Sequence, residues 1–283
     1  MTQASAARSS ARSPKLPHMM KLWALCLAFL PMVSVADTRS SGNVYLPAQL
    51  QSLQNDSHKN PIALWLDRGS SLWQGQCQSC HGAIDKLKSS ATTFPRLAVG
   101  GKTLHNLEDQ IARCQQRNAS PAATPVASND SDEVLALSAA LHHAAQGERI
   151  NVAANTPSAV PHLTTDTALP SEQMAAWQAR LASGQQLYQT RMGRINLACM
   201  HCHDQKVGAQ MRADTISQGH PTGFPIYRMS WQTLGSTERR LRACYSGVQA
   251  TLPVPGSPQL RDLELFMKVR GNGMPLDGPS IRR

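Results

Sequence analysis

Two five-residue runs in this sequence share one chemistry: Cys77-Gln78-Ser79-Cys80-His81 and Cys199-Met200-His201-Cys202-His203. A C-x-x-C-H run is the attachment signal for a c-type haem. Its two thiols add across the porphyrin vinyl groups as thioethers, and the adjacent histidine is held against one face of the iron. C-x-x-C alone would fit a redox dithiol or half a zinc site. The histidine directly after it, and the recurrence of the whole run, point instead to two covalently bound haem c groups. Cys77, Cys80, Cys199 and Cys202 would carry the thioethers, and His81 and His203 would bind the irons.

The chemistry then depends on the opposite face of each iron. A single-haem electron carrier usually sets Met opposite His, which raises the potential. No methionine lies between Met32 and Met174, so the first haem has none in its own half. Its candidates are Cys114, His105, His142 and His143; those of the second are Met211, Met229 and Cys244. Cys114 and Cys244 are the two cysteines left outside the runs and the N-terminal segment. In an oxidising compartment they could also form a disulfide.

The elements that would position these residues repeat. Apolar positions predict a helix from Pro61 through Trp73 before the first run, a helix marked by Leu104, Leu107 and Ile111 leading to Cys114, and a closing helix over Asp132 to Ala145. The second half replays this order. Gly69-Ser70-Ser71-Leu72-Trp73 is answered by Gly184-Gln185-Gln186-Leu187-Tyr188, at the end of a helix from Ser171, and Phe94-Pro95 by Phe224-Pro225. At a shift of 130 residues, Thr103 meets Thr233, Leu104 meets Leu234, Glu108 meets Glu238, and Cys114 meets Cys244. A final helix over Pro258 to Val269 matches Asp132 to Ala145. Repetition of this kind marks a duplicated module. The expected fold is all-α: two tandem cytochrome c domains, residues 37–150 and 171–283, joined by a Pro/Thr/Ala-rich linker at 151–170. An extended N-terminal arm is expected over residues 37–60.

The repeat also bears on the ligands. Cys114 and Cys244 hold equivalent places, whereas the histidines and methionines have no such counterparts. A disulfide would need equivalent points of two packed modules within about 6 Å. Thiolate ligation of both irons is therefore favoured over a disulfide or a bystander role. Arg239-Arg240-Leu241-Arg242-Ala243-Cys244 sets three guanidinium groups within five residues of one sulfur. On a helix Arg240, at i−4, shares the face of Cys244, where a cation lowers the thiol pKa and docks an anion. Arginine runs are otherwise solvated basic faces.

Compartment follows from the N-terminus. Arg8, Arg12, Lys15 and Lys21 precede any acidic residue, the apolar run from Leu22 to Val33 is too short to span a bilayer, and Ser34-Val35-Ala36 resembles a cleavage site. Residues 1–36 are expected to be a signal peptide for export to the periplasm, and losing those four charges lowers the formal charge of +10 to +6. No nucleic-acid motif accompanies the positive charge, which suits small anions or acidic proteins.

The chain resembles the SoxA family, the dihaem subunits of the SoxAX cytochromes of sulfur oxidation. The resemblance is strongest from Gly223-Phe224-Pro225-Ile226-Tyr227-Arg228 through Trp231-Gln232-Thr233-Leu234-Gly235 to Cys244. It continues in Leu263-Glu264-Leu265-Phe266 and Gly273-Met274-Pro275-Leu276. It implies an L-cysteine S-thiosulfotransferase, which joins thiosulfate oxidatively to a cysteine of the carrier SoxYZ and passes two electrons to cytochrome c. The mono-haem cytochrome SoxX would be its partner in a heterodimer. Carried over, His81 and Cys114 would be the axial pair of the first haem, and His203 and Cys244 that of the second. Cys244 would be the catalytic sulfur, found in the family as a persulfide, and Arg240 the substrate-binding residue. One departure is Gln249, where the family pattern leads one to expect an arginine. Competing readings are a thiosulfate dehydrogenase forming tetrathionate without a carrier, and a plain dihaem electron-transfer cytochrome.

Overall fold

The computed structural model describes residues 38–98, 103–118, 129–152 and 171–283. The proposed signal peptide, Gly100-Gly101, most of the loop before Asp132 and nearly all of the 151–170 linker lie outside the described residues. Helices dominate. In the first half a 3-10 turn, Gly42–Tyr45, and α1 (Ala48–Asn55) precede α2 (Ile62–Leu72). A π-helical turn, Trp73–Cys77, carries α2 into α3 (Gln78–His81), followed by α4 (Lys88–Thr93). The short strands β1 (Arg96–Leu97) and β2 (Leu104–His105) pair antiparallel, and α5 (Leu107–Asn118) and α6 (Asp132–Ala144) follow. The second half has α7 (Ser171–Gln189), α8 (Cys199–His203), the hairpin β3 (Gln210–Met211) and β4 (Asp214–Thr215), and then β5 (Ile226–Arg228) and β6 (Thr233–Gly235). It ends in α9 (Thr237–Gly247), α10 (Pro258–Arg270) and β7 (Ser280–Arg282).

Two expectations are corrected. The fold is mostly helical but not all-α: β5 pairs antiparallel with β6 and parallel with β7, opposing Arg228 to Arg282. Strands of two or three residues show no alternation from which to predict them. The N-terminal segment is not an extended arm either. Ser41 caps the 3-10 turn, and α1 lays Leu50 and Leu53 against a cluster with Ile62, Leu135, Tyr227, Leu234 and Ile281. Burial of those two leucines, about 1.5–3 kcal/mol each when complete, favours a helix where the polar composition suggested none.

α2 packs on α6, and α7 on α10. Each crossing needs a glycine. A Cβ at Gly69 would strike the Ala136 carbonyl, and one at Gly184 the Asp262 carbonyl. The first half has its own core of Trp73, Phe94, Leu107, Ile111, Leu137 and Leu141, and the second one of Tyr188, Leu241, Tyr245, Leu260 and Leu263. A further cluster joins Leu97, Leu104 and Ile150 to Leu265 and Leu276, so Arg39–Arg283 is one compact unit.

Charges are buried where α5 meets α10. Arg261 grips Asp109 with a two-pronged bond, Nε to Oδ2 at 2.6 Å and Nη2 to Oδ1 at 2.7 Å, and also bonds Glu238. Glu264 lies 3.6 Å from the same guanidinium and accepts from Asn106 at 3.1 Å. Nearby Ser138 donates to Glu108 at 2.7 Å. His142, 3% exposed, donates from Nδ1 to the Ser138 carbonyl at 2.9 Å. Burial, aided by Lys268, brings its pKa down to about 3, outweighing the Ser138 bond.

An imidazole neutral in the folded state but titrating near 6.5 when unfolded stabilises fully above that value, and its contribution is lost as pH falls towards the folded pKa. Acidifying from pH 7 to pH 5 is therefore expected to cost about 2 kcal/mol through His142 alone. Urea unfolding at both values should show a pH-dependent difference of that size between wild type and His142→Asn. Parallel curves would show that His142 does not titrate on unfolding.

Candidate haem and sulfur site

Each C-x-x-C-H run occupies a short helical turn braced by a larger helix. In the first half the π turn delivers Cys77, and Gly82, at φ +70°, ends α3 after His81. Trp73 Nε1 donates to the Gly82 carbonyl at 3.0 Å, and its ring centroid stands 6.0 Å from that of His81. Cys114 faces this run from α5. Burial, with Cys114 and then Cys80 nearby, pushes the Cys77 thiol up to about 11.

In the second half the histidines of the run separate by role. His201 turns back on its own helix, its Nδ1 accepting from Ala198 N at 2.9 Å. His203 Nδ1 donates to the Ser217 carbonyl at 2.8 Å, which fixes the tautomer and leaves Nε2 to bind a metal. Gly219, at φ +73°, lies against this ring, where a Cβ would come within 2.9 Å of it and displace it.

Across from His203 is Cys244, half-buried on α9. Ser236 caps that helix, its Oγ accepting from Arg239 N at 3.1 Å, and so sets which faces the arginines take. Arg240 shares the sulfur's face. Arg239 instead stacks on Trp231 at 4.5 Å and donates to the Leu234 carbonyl, while Arg242 donates to the Pro253 carbonyl. Burial resists ionisation of Cys244, but Arg240, a hydrogen bond from His203 and Arg228 outweigh it and bring the thiol down to about 7. Burial and the proximity of Cys244 raise both run thiols, Cys199 to about 12.

The structure thus brings together Cys199, Cys202, His203, Cys244 and Arg240, and separately Cys77, Cys80, His81 and Cys114. Cys114 and Cys244 are not joined to one another, which removes the disulfide. The other ligand candidates are turned elsewhere. Met211 is 52% exposed, Met229 packs beside Tyr227, His105 bonds Arg113 at 3.0 Å, and His143 is exposed. A haem c fits this donor set: two thiols one helical turn apart, an imidazole held through Nδ1, and a sulfur opposite it. Sequence reasoning missed Arg228 and Arg282, which β5 and β7 bring beside Arg240. No local spacing links them to Cys244.

Fold and site define a c-type cytochrome, and comparison with known proteins narrows the class. The profile described as SoxA/TsdA, cytochrome c domain, matches residues 65–150, and with that domain comes covalently bound haem c. The L-cysteine S-thiosulfotransferase subunit SoxA of Pseudaminobacter salicylatoxidans is 28% identical over 270 residues, covering 90% of this chain and 87% of its own. That of Paracoccus pantotrophus is 27% identical, covering 87% and 80%. The crystal structure of SoxXA from P. pantotrophus superposes with a TM-score of 0.70 at 25% identity over 87% of both chains. Over most of its length the chain is similar to SoxA subunits.

Proposed function

We propose that this chain is the dihaem subunit of an L-cysteine S-thiosulfotransferase, coupling thiosulfate to a cysteine of the SoxYZ carrier with cytochrome c as electron acceptor. The observation that carries this reading is Cys244 set between His203 and Arg240: a sulfur ionising near neutral pH, beside a cation free to hold an anion. The relatives' name agrees with it. Two haem c groups are proposed. Cys77 and Cys80 anchor one between His81 and Cys114, and Cys199 and Cys202 the other between His203 and Cys244. When bound, each haem supplies a one-electron acceptor.

The chain's own residues do the rest. Cys244 is the catalytic sulfur, working as a persulfide, and His203 is oriented by Ser217. Arg240 binds the dianion, which a partly desolvated site can retain only against a fixed positive charge. Carrier thiol and thiosulfate are joined by an S–S bond, with one proton and two electrons leaving. The halves are read as tandem cytochrome c modules, 37–150 and 171–283, related by duplication. The matched glycine crossings at Gly69 and Gly184 support this. The solved relative is a SoxXA complex, which supports a heterodimer with SoxX. Cleavage after Ala36 and a periplasmic location complete the proposal.

The test is anaerobic incubation of the purified complex with thiosulfate, reduced SoxYZ and oxidised cytochrome c. One thiosulfonate added per carrier, with two cytochromes reduced, is expected. Tetrathionate formed without carrier would make the chain a thiosulfate dehydrogenase; an unreduced cytochrome would leave a plain electron carrier. A charge-assisted hydrogen bond of roughly 1.5–3 kcal/mol sets the expected effect of Arg240→Ala, a roughly tenfold to 150-fold weaker use of thiosulfate with both haems attached. Arg239→Ala should stay within about twofold, because that side chain is engaged by Trp231 and Leu234. Equal damage from both would reduce the cluster to a diffuse field.

A further inference from the structure

Arg228 enters the site from a different element than Arg240. It ends β5, its Nε donates to the Arg283 carbonyl at 2.9 Å, and its guanidinium lies 5.2 Å from the centroid of Trp231. The same indole also takes Arg239, so one ring links the strand to α9, and Gly235 leaves room for it. These contacts hold Arg228 in place while leaving its outer nitrogens unspent. Among the described residues neither Nη group makes a hydrogen bond, and the ion-pair partner Asp214 is 3.8 Å from Nη2. The Arg228 side chain is 19% exposed. Arg240 makes no ion pair within 4.0 Å among the described residues, and Arg282 stands opposite Arg228 in the sheet.

Three guanidinium groups gathered in a half-buried place oppose one another. Burial and then Arg240 lower the pKa of Arg228, and Arg282 is brought down to about 10 by burial, with Arg240 adding to it. Arg282 is committed to Asn43 Oδ1 at 2.8 Å and to its neighbour's carbonyl. Arg228 and Arg240 are the pair with donors to offer, and a bound dianion relieves their repulsion.

We propose that Arg228 is a second substrate-binding residue, holding the sulfonate end of thiosulfate while Arg240 faces the terminal sulfur beside Cys244. The assignment rests on the function proposed above and supplies a second cation from a strand. The ends follow from placement: Arg240 is one helical turn from Cys244 on the same helix, and Arg228 lies across the site on β5. They also follow from chemistry. The sulfonate keeps its negative charge throughout S–S bond formation, whereas the terminal sulfur loses its own. A contact to the sulfonate is therefore equally strong before and during reaction, and its loss raises KM without lowering kcat.

The rival partner for Arg228 is a haem propionate, and the experiment separates the two. Arg228→Gln, Arg228→Lys and the remote control Arg68→Gln are prepared as haem-loaded complexes with SoxX. Thiosulfate and sulfate binding to the oxidised proteins is followed by calorimetry without carrier. Carrier conjugation kinetics and the midpoint potential of each haem are measured alongside. Expected for Arg228→Gln is thiosulfate binding weakened about tenfold or more, KM raised in parallel, kcat within about twofold, and potentials and haem content unchanged. Lys should recover part of the affinity as a point charge without the fork, and Arg68→Gln none of the loss. Unchanged affinity in Arg228→Gln overturns the proposal, as does a shifted potential with affinity kept, the signature of a propionate contact. Thiosulfate bound by wild type without conjugation would remove the proposed function while the calorimetry still decides on Arg228. A wild type that binds no thiosulfate removes both.

Discussion

Cys244→Ala is expected to abolish thiosulfate conjugation, by at least about a thousandfold, the scale on which loss of a reacting side chain acts. Both proposed haems should remain attached, because their thioethers would use Cys77, Cys80, Cys199 and Cys202. The argument is local. Cys244 is the one cysteine in the second half outside the C-x-x-C-H run, it faces His203, and the cations beside it bring its thiol down to about 7. Mass spectrometry should find two haems on the variant, and electron paramagnetic resonance should find one low-spin signal altered. Cys114→Ala should alter the other signal alone. A Cys244→Ala protein retaining a tenth of the wild-type rate would move the catalytic sulfur elsewhere, and changes in both signals from either variant would break the axial pairing.

Arg261→Gln is expected to be the most destabilising single substitution outside the haem sites. Arg261 is 2% exposed, and three carboxylates converge on it: Asp109, Glu238 and Glu264. Burial disfavours its charge, yet the Asp109 bond and the nearby Glu264 and Glu238 overcome this and raise its pKa. Removing one partner of a buried ion cluster costs about 3–5 kcal/mol, because the others stay buried and uncompensated. At about 2–4 °C per kcal/mol for a chain of this size, the melting temperature should fall by about 6–20 °C. The loss should shrink below about pH 5, where carboxylates take up protons. Combining Arg261→Gln with Glu238→Gln and Glu264→Gln should recover much of it. A triple variant less stable than the single one would mean that the cost is lost packing and not unpaired charge.

What was legible in the sequence follows the range of each interaction. The helices α2, α6, α7 and α10 are visible because three- and four-residue apolar spacing needs no partner to be seen. Arg240 was legible for the same reason, one turn before Cys244. The charged face of α10 was not. Arg261, Asp262, Glu264 and Lys268 are charged, yet all are buried, because some of their partners come from α5 in the other half. Arg228 lies outside any helical relation to Cys244 and joins the site only when β5 packs beside α9. The three-stranded sheet escaped notice because each strand is too short to alternate, and α1 because two leucines are too few to mark a face.

The parallel pairing of β7 with β5 bears on the order of assembly. Ile226 must wait for Ser280, and Arg228 for Arg282, so the chain passes through α9 and α10 before this sheet closes. Contacts that span so much sequence form late, because the loop must be closed before the pairing rewards it. The first half has only the hairpin of β1 and β2, with no returning strand among the described residues. The sheet beside the second C-x-x-C-H run therefore stays open until residues 280–282 arrive. Thioether formation needs an accessible chain, and the open sheet leaves the second half, which carries Cys244, accessible for an interval. The same strand that sets Arg228 in place then closes that interval.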